Sequence, residues 1–417
     1  MHQTFEIPLD IPDVTIEHVT TNRLGHIEIT VKSTIEGTPC HQCGNMTTKF
    51  YGEDREITLR HLPILGRKTF IRLRPRRYQC TRCHDHPTTT QTLSWYTLRS
   101  SYTRAYEEQI LLSLVNSTVQ DVSIKEDVGY EAIMGIIDRH IERSVDWESF
   151  TRLEVVGLDE ISLKKGHRHF VAIVTGRIES EPVILGVLPD RKKVTVKAFL
   201  SGIPKRLRRT IRAVCSDMYD GFVQAAKEVC GKRVKIVIDR FHVAKLYRKG
   251  LDSLRKRELQ RLKQELSEDE YGQLKGAMWA LRKSEEKLTD EDKDVLACLF
   301  EHSPCLKLAY ELCGDLTSIF DTQLNKSQGK RQLRKWMEKV RASQLRCFDG
   351  FLTTLETWLD DIANYFIDRH TSGFVEGFNN RLKVIKRRCY GILNVTHLFQ
   401  RIQLDLYGHT LFGWKIT

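Results

Sequence analysis

At 417 residues the chain is long for one domain, and two to four domains are expected. Its 66 Lys and Arg against 54 Asp and Glu give a formal charge of +12 and a pI near 9.1, which favours a polyanionic partner, nucleic acid above all. No run of about 18 apolar residues is present to form a membrane helix, and the start MHQTFEIPLDIP lacks the features of a secretory signal. Eleven cysteines, four of them in C-x-x-C pairs, read as a metal site in the reducing cytoplasm and not as a disulfide framework.

In chain order, residues 1–35 are an N-terminal strand segment, alternating in His26-Ile-Glu-Ile-Thr-Val-Lys32. Residues 36–95 carry two knuckles, Cys40-His-Gln-Cys43 and Cys80-Thr-Arg-Cys83. Two thiolate pairs on tight turns make a tetrahedral site suited to one structural Zn²⁺, so this segment is expected to be a zinc ribbon. The stretch from Cys43 to Cys80 is long for a ribbon, so its hairpin must be enlarged. His41, His61, His84 and His86 read as surface or hydrogen-bonding residues. Arg72, Arg74, Arg76 and Arg77 would give the hairpin a basic face, with Arg76 and Arg77 as DNA contacts. Residues 88–101, rich in Thr and Ser, read as a linker. Residues 100–147 show three short helical patterns with Gly129 before the last, which fits a helix-turn-helix whose third helix bears Arg139, with Arg143 just beyond.

Residues 151–243 are α/β in character. Apolar strands are expected at 155–158, 170–174, 183–187, 211–215 and 234–238, with helices at 197–209 and 221–229. The first strand ends at Asp159, the fourth at Asp217 and the fifth at Asp239. This βββαβαβ order, with acids at strand ends, is that of a ribonuclease-H-like fold, where carboxylates on rigid strands converge on shared cations. Glu160 is expected on the opposite strand face from Asp159. Asp220 reads as the N-cap of the following helix. Asp220 and Asp239 remain competitors of Asp217 for the second ligand position.

Residues 244–365 are helical and charged, an all-helical insertion. Residues 330–346 carry Lys330, Arg331, Arg334 and Lys335 with few acids of their own, as expected of a phosphate-contacting helix. Residues 366–417 return to the catalytic domain. In a helix there, Glu376, Asn379, Asn380 and Lys383 share one face, while Phe378, Leu382 and Ile385 form an apolar stripe.

The succession of paired C-x-x-C, short helical unit, GLDE, SDMYDGF, IDRFH and VEGFNNRLKVIKRRCYG resembles the bacterial insertion-sequence DDE transposases of the ISL3 type, over residues 36 to 410. The resemblance implies an N-terminal zinc ribbon, a helix-turn-helix and a ribonuclease-H-like catalytic domain interrupted by a helical insertion. It implies that Asp159, Asp217 and Glu376 hold two Mg²⁺ ions, with Mn²⁺ as substitute, and that Asp239 and His242 form an Asp-x-x-His motif that shapes the site. The chain would bind the inverted repeats at transposon ends as a homodimer or larger assembly, cut there and join the ends to target DNA. Asn380, Lys383, Arg387 and Arg388 would join the Lys and Arg of the insertion in holding DNA. Two other readings are a ribonuclease-H-like DNA nuclease without strand transfer and a sequence-specific DNA-binding regulator.

Overall fold

The computed structural model describes residues 9, 11–164, 168–178, 181–231, 233–283, 285–368, 373–388 and 394–413, with the backbone alone at 164, 168, 169, 373–377 and 379. The chain divides into two compact units, residues 1–141 with 403–417, and residues 142–402.

In the first unit, β1 (Val14–Thr21) and β2 (Ile27–Ser33) form an antiparallel pair. The short strands β3 (Thr38–Pro39) and β4 (Met46–Thr47) flank the first cysteine knuckle. After β5 (Lys49–Glu53) the chain leaves the ribbon. β6 (Ile57–Ile64) and β7 (Arg67–Leu73) make a hairpin that joins the N-terminal strands in the order β1-β2-β7-β6. The chain then returns as β8 (Arg76–Gln79), paired with both β5 and β9 (Thr88–Thr90). The extra length between the knuckles is therefore a hairpin lent to another sheet. The cause is hydrophobic patterning: β7 turns Thr69, Ile71 and Leu73 inward, and its parallel register with β2 sets Ile71 beside Ile29.

Residues 88–101 are not a linker. β9 completes the ribbon sheet, and Leu93, Trp95 and Tyr96 are buried in the core of the four-stranded sheet. Buried Gln91 donates to the carbonyls of Ile35 and Gly37, at 3.0 and 3.2 Å. The four arginines do not make one face either. Arg72 lies on β7 between Glu28 (3.2 Å) and Glu56 (2.5 Å), and Arg74 is 3.7 Å from Glu56. Arg76 and Arg77 lie on the other sheet, where Arg77 donates to Thr88 at 2.6 Å.

Three helices follow: α1 (Arg104–Leu114), α2 (Val119–Glu126) and α3 (Tyr130–His140). Thr103 and Thr118 cap the first two through their side chains. Ile110, Leu111, Leu114, Ile133, Ile136 and Ile137 interlock as their core. Buried among these helices, Glu107 accepts from Arg139 (2.5 Å) and Ser100 (2.7 Å) and pairs with His140 (2.7 Å). Arg139, one of the two arginines at the supposed recognition helix, is thus engaged within the unit.

In the second unit, β10 (Val155–Lys164), β11 (Arg168–Ile178) and β12 (Glu181–Leu188) form an antiparallel meander. After α4 (Lys193–Gly202) and α5 (Lys205–Arg208), β13 (Ala213–Ser216) pairs parallel to β10. After α6 (Asp220–Cys230), β14 (Lys235–Ile238) pairs parallel to β13, so the order is β12-β11-β10-β13-β14. β13 is buried throughout, which explains its unbroken apolar text. β10 does not end at Asp159 but continues to Lys164, so Asp159 lies within a strand, one residue beyond the last residue paired with β13.

The rest of this unit is helical. α7 (Arg240–Glu265) starts directly after β14 and Asp239. It is followed by α8 (Glu268–Gly272), α9 (Ala277–Ala280), α10 (Asp290–His302), α11 (Pro304–Asp321), α12 (Lys326–Ala342), α13 (Asp349–Ala363) and α14 (Tyr365–Asp368). α13 packs on β14, and Asn364 donates to the Ile236 carbonyl at 2.7 Å. α15 (Gly373–Arg388) packs on β10 and β12. α16 (Val395–Phe412) follows, and its Leu404 joins the helical core of the first unit. Among the described residues no helix is long and apolar enough to cross a membrane.

Burial pushes the Glu107 carboxyl up, but hydrogen bonds from His140, Arg139 and Ser100 outweigh it and hold the group below its ordinary value. A depressed carboxyl gives stability that is present above its unfolded pKa and lost as pH falls through its folded pKa. Glu107→Gln should therefore cost about 2–4 kcal/mol at pH 7. In urea titrations the gap to the parent should close below about pH 4.

Candidate active site and metal centre

The knuckles bring Cys40, Cys43, Cys80 and Cys83 together, with all four Sγ atoms within 4.8 Å of one another. Three separations are 3.9 Å (Cys40–Cys83), 3.8 Å (Cys43–Cys80) and 3.7 Å (Cys80–Cys83). A tetrahedron with Zn–S bonds of about 2.3 Å has edges of about 3.8 Å, so this donor set fits zinc. The first turn is closed by Gly44, which donates to the Cys40 carbonyl at 2.8 Å and sits at φ 70°, where a side chain would be strained. The knuckle amides favour thiolates. Those of Cys43 and Gln42 lower the Cys40 pKa, and that of Asn45 pulls Cys43 down to about 6. Hydrogen bonding to Cys43 and burial push Cys83 the other way. Three of the four nearby histidines have other partners: His41 meets Thr89 (3.0 Å), His61 meets Thr103 (2.9 Å) and His86 meets the Cys80 carbonyl (3.0 Å).

The second candidate site rests on strand register. Leu158 pairs with Ser216, and Ser216 with Ile238. The next residue on each strand is Asp159, Asp217 and Asp239, so three acids stand in one row across adjacent parallel strands, about 4.8 Å apart. Backbone amides orient each of them. Asp159 accepts from Glu160 (2.7 Å), Asp217 from Tyr219 (3.1 Å) and Asp239 from Phe241 (2.9 Å). Asp239 is buried and is the N-cap of α7. Its other oxygen is 3.3 Å from His242 Nδ1.

The row is electrostatically costly. Burial raises the Asp217 carboxyl to about 6; His242 opposes the shift and Asp159 adds to it. Burial also raises Asp159, against the Glu160 amide, His242 and Lys383. His242 is pushed down by burial, but Asp239, then Asp159 and Asp217, bring it above its ordinary value. Oxygen donors that repel one another in a half-buried row fit a hard divalent cation such as Mg²⁺. Among the described residues, however, only the four cysteines draw three or more ligand atoms within 4.8 Å.

Glu376 lies on α15, but its side chain and that of Asn379 fall outside the described residues. The stripe Phe378, Leu382 and Ile385 is buried as expected, and Lys386 donates to the Ser162 carbonyl of β10. Asn380, Lys383 and Arg387 are exposed, and Arg388 is half-buried. Asp220 is exposed and is the first residue of α6; the N-cap is Tyr219, because the Asp217 carboxylate already takes the Tyr219 amide.

On α12, acids from neighbouring helices neutralise part of the basic text. Lys326 and Lys330 meet Asp360 (3.0 and 2.8 Å), Lys339 meets Asp315 (2.6 Å), and Arg341 meets Glu356. Arg331, Arg334 and Lys335 are exposed and, among the described residues, without a carboxylate partner. Sequence reasoning missed Arg191. Glu160 holds it at 2.6 Å, between the rings of Phe170 and Tyr219 and close enough to Asp217 for their charges to interact. Only its place in the basic run Arg191-Lys-Lys193 hinted at it.

A chain with a thiol tetrahedron and a row of acids across adjacent strands has the parts of a zinc-containing nucleic-acid enzyme, and comparison with known proteins makes the class definite. Residues 156–402 match the ISL3 transposase family, and residues 36–83 match the zinc finger of the transposases of IS204, IS1001, IS1096 and IS1165. The chain belongs to the ISL3 family of insertion-sequence transposases. It is 25% identical over 387 residues to the transposase for insertion sequence element IS1001 of Bordetella parapertussis, covering 92% of each chain. It is 22% identical over 395 residues to the transposase for IS1557 of Mycobacterium tuberculosis, covering 89% of this chain and 86% of that one.

Purified protein should contain one zinc per chain by metal analysis, and Cys80→Ser should remove it and lower the melting temperature of the first unit. Full zinc retention in that variant would contradict the four-thiol centre.

Proposed function

We propose that this chain is a DNA transposase that cuts at the inverted repeats of its element and joins the freed 3′-OH to target DNA. The observation that carries this reading is the register of β10, β13 and β14, which sets Asp159, Asp217 and Asp239 at one level. The strand order β12-β11-β10-β13-β14 supports a ribonuclease-H-like catalytic core, residues 151–243 with 366–417, interrupted by the helical insertion of residues 244–365. Asp159, Asp217 and Glu376 would hold two Mg²⁺ ions, which when bound supply Lewis acidity at the attacking and leaving oxygens of the scissile phosphate. Asp239, fixed by the Phe241 amide and His242, holds the end of β14 and the start of α7 in place. Lys383 and Arg191 stand beside the acids, where they would bind the phosphate oxygens of the DNA.

The zinc ribbon and the three-helix unit, residues 100–147, read as a helix-turn-helix, would recognise the terminal repeats. Arg331, Arg334 and Lys335, left uncompensated on α12, would hold phosphates without reading sequence. Two ends must react together, so the active form is expected to be a dimer or larger.

Asp159→Asn, Asp217→Asn and Glu376→Gln should each lower cleavage and strand transfer by at least about a thousandfold while leaving DNA binding intact. Asp220→Asn should stay within about threefold of the parent. Normal cleavage by Asp217→Asn with a dead Asp239→Asn would move the second ligand to Asp239. Cleavage without joining would favour a nuclease.

Replacing Arg331, Arg334 and Lys335 together by Ala should reduce the log–log salt slope of duplex binding by roughly 2–3. Lys330→Ala should change it less, because Asp360 already engages that ammonium. Equal slopes for the triple variant and the parent would make α12 an ordinary solvated helix.

A further inference from the structure

Along the first half of α7, starting at Asp239, runs an open groove of about 710 Å³. Its apolar lining comes from Ala244, Tyr247 and Leu251 of α7 with Met278 and Leu281 opposite. The Tyr247 hydroxyl meets Thr317 at 2.9 Å, so the floor's polar atoms are satisfied within the protein. The charges around it fall into two sets. Arg240 is spent on Asp321 (2.7 Å), and Arg255 and Arg282 share Asp252 (2.8 and 3.7 Å). Lys245, Arg248 and Lys249 are exposed and, among the described residues, have no carboxylate partner. The Phe241 ring stands 47% exposed at the groove's Asp239 end, on the same helix face as Lys245 and Arg248 by their i, i+4, i+7 spacing. The ring meets His242 edge-on at 6.0 Å and offers its exposed part to solvent beside these cations.

The chemistry of the groove selects its occupant. A duplex offers phosphates, but its base faces are stacked and out of reach. An aromatic ring and an apolar floor edged by free cations suit unstacked bases whose phosphates lie on the rim. A protein segment would need acidic groups to match the three cations, and its apolar side chains would not require an aromatic platform. We propose that this groove binds the unpaired DNA strand adjoining the scissile phosphate, with bases on Phe241 and the apolar floor and phosphates on Lys245, Arg248 and Lys249. The placement beside the scissile phosphate rests on the transposase reading; the affinity for single-stranded DNA does not.

The test uses the full zinc-loaded chain without Mg²⁺, a fluorescein-labelled oligo-dT strand and an arbitrary-sequence duplex of equal length. Phe241→Ala should weaken oligo-dT binding about tenfold and Phe241→Trp should restore it, since one stacked base carries that much. The triple Ala variant of Lys245, Arg248 and Lys249 should reduce the oligo-dT salt slope by about 2. Duplex affinity should shift less than about threefold in both. A 2-aminopurine placed in the strand should lose fluorescence on binding the parent and keep it with Phe241→Ala. All four side chains are exposed, and unchanged melting temperatures will exclude misfolding. Equal losses for strand and duplex would make the groove a general phosphate surface. Unchanged oligo-dT binding in the variants, or none by the parent, would equally overturn the proposal. Neither result touches the transposase reading, which stands or falls on the loss of cleavage in Asp159→Asn.

Discussion

The second unit is governed by one constraint, the in-register parallel pairing of β10, β13 and β14. Backbone hydrogen bonding fixes which residues share a level, and here the residues just beyond the paired ones are all aspartates. A one-residue slip in either ladder would break the row and turn a buried apolar strand inside out. The apolar core thus holds the register, and the register imposes the like-charge repulsion. Burial raises the Asp159 and Asp217 carboxyls, neighbouring acids add a smaller part, and the same acids hold the His242 imidazole above its ordinary value. Oxygen donors brought together in this way suit a hard divalent cation.

The helical region grows out of the same row. Asp239 follows β14 and caps α7, so an acid of the row also starts the longest helix among the described residues. Every residue on the first turn of α7 is therefore tied to the geometry of the acids, which is why the groove lined by Phe241 begins beside them. The cations of the helical region divide by tertiary context. Those that meet Asp252, Asp315, Asp321 or Asp360 tie helices together, and those that do not are left for a polyanion.

The first unit solves a different problem. Its ribbon sheet is small, and a cluster of four thiols gives it a metal-linked centre where little apolar surface is available. Between the knuckles the chain lends a hairpin to the neighbouring sheet, so ribbon and β1-β2-β7-β6 sheet share covalent continuity at both ends of the hairpin. Glu107 then locks the three helices from inside through Arg139, His140 and Ser100.

Much of this was legible in the sequence, for local reasons. C-x-x-C spacing specifies a turn that presents two thiols, so the zinc ligands could be read directly. Short apolar runs marked the five strands, three of them leading to an Asp, and the 3.6-residue spacing of Phe378, Leu382 and Ile385 marked the buried stripe of α15. What the sequence could not decide were the relations between distant segments. It did not reveal that β7 would pair with β2, that Leu93, Trp95 and Tyr96 in a Thr-rich stretch would be core, or that Arg72 and Arg139 would be claimed by Glu28, Glu56 and Glu107. Nor could it place Asp239 level with Asp159 and Asp217, or seat Arg191 beside them. Pairing register and charge partnership depend on which segments share a core. Residue types and spacing fix only what each segment offers, and the tertiary structure alone decides what it meets.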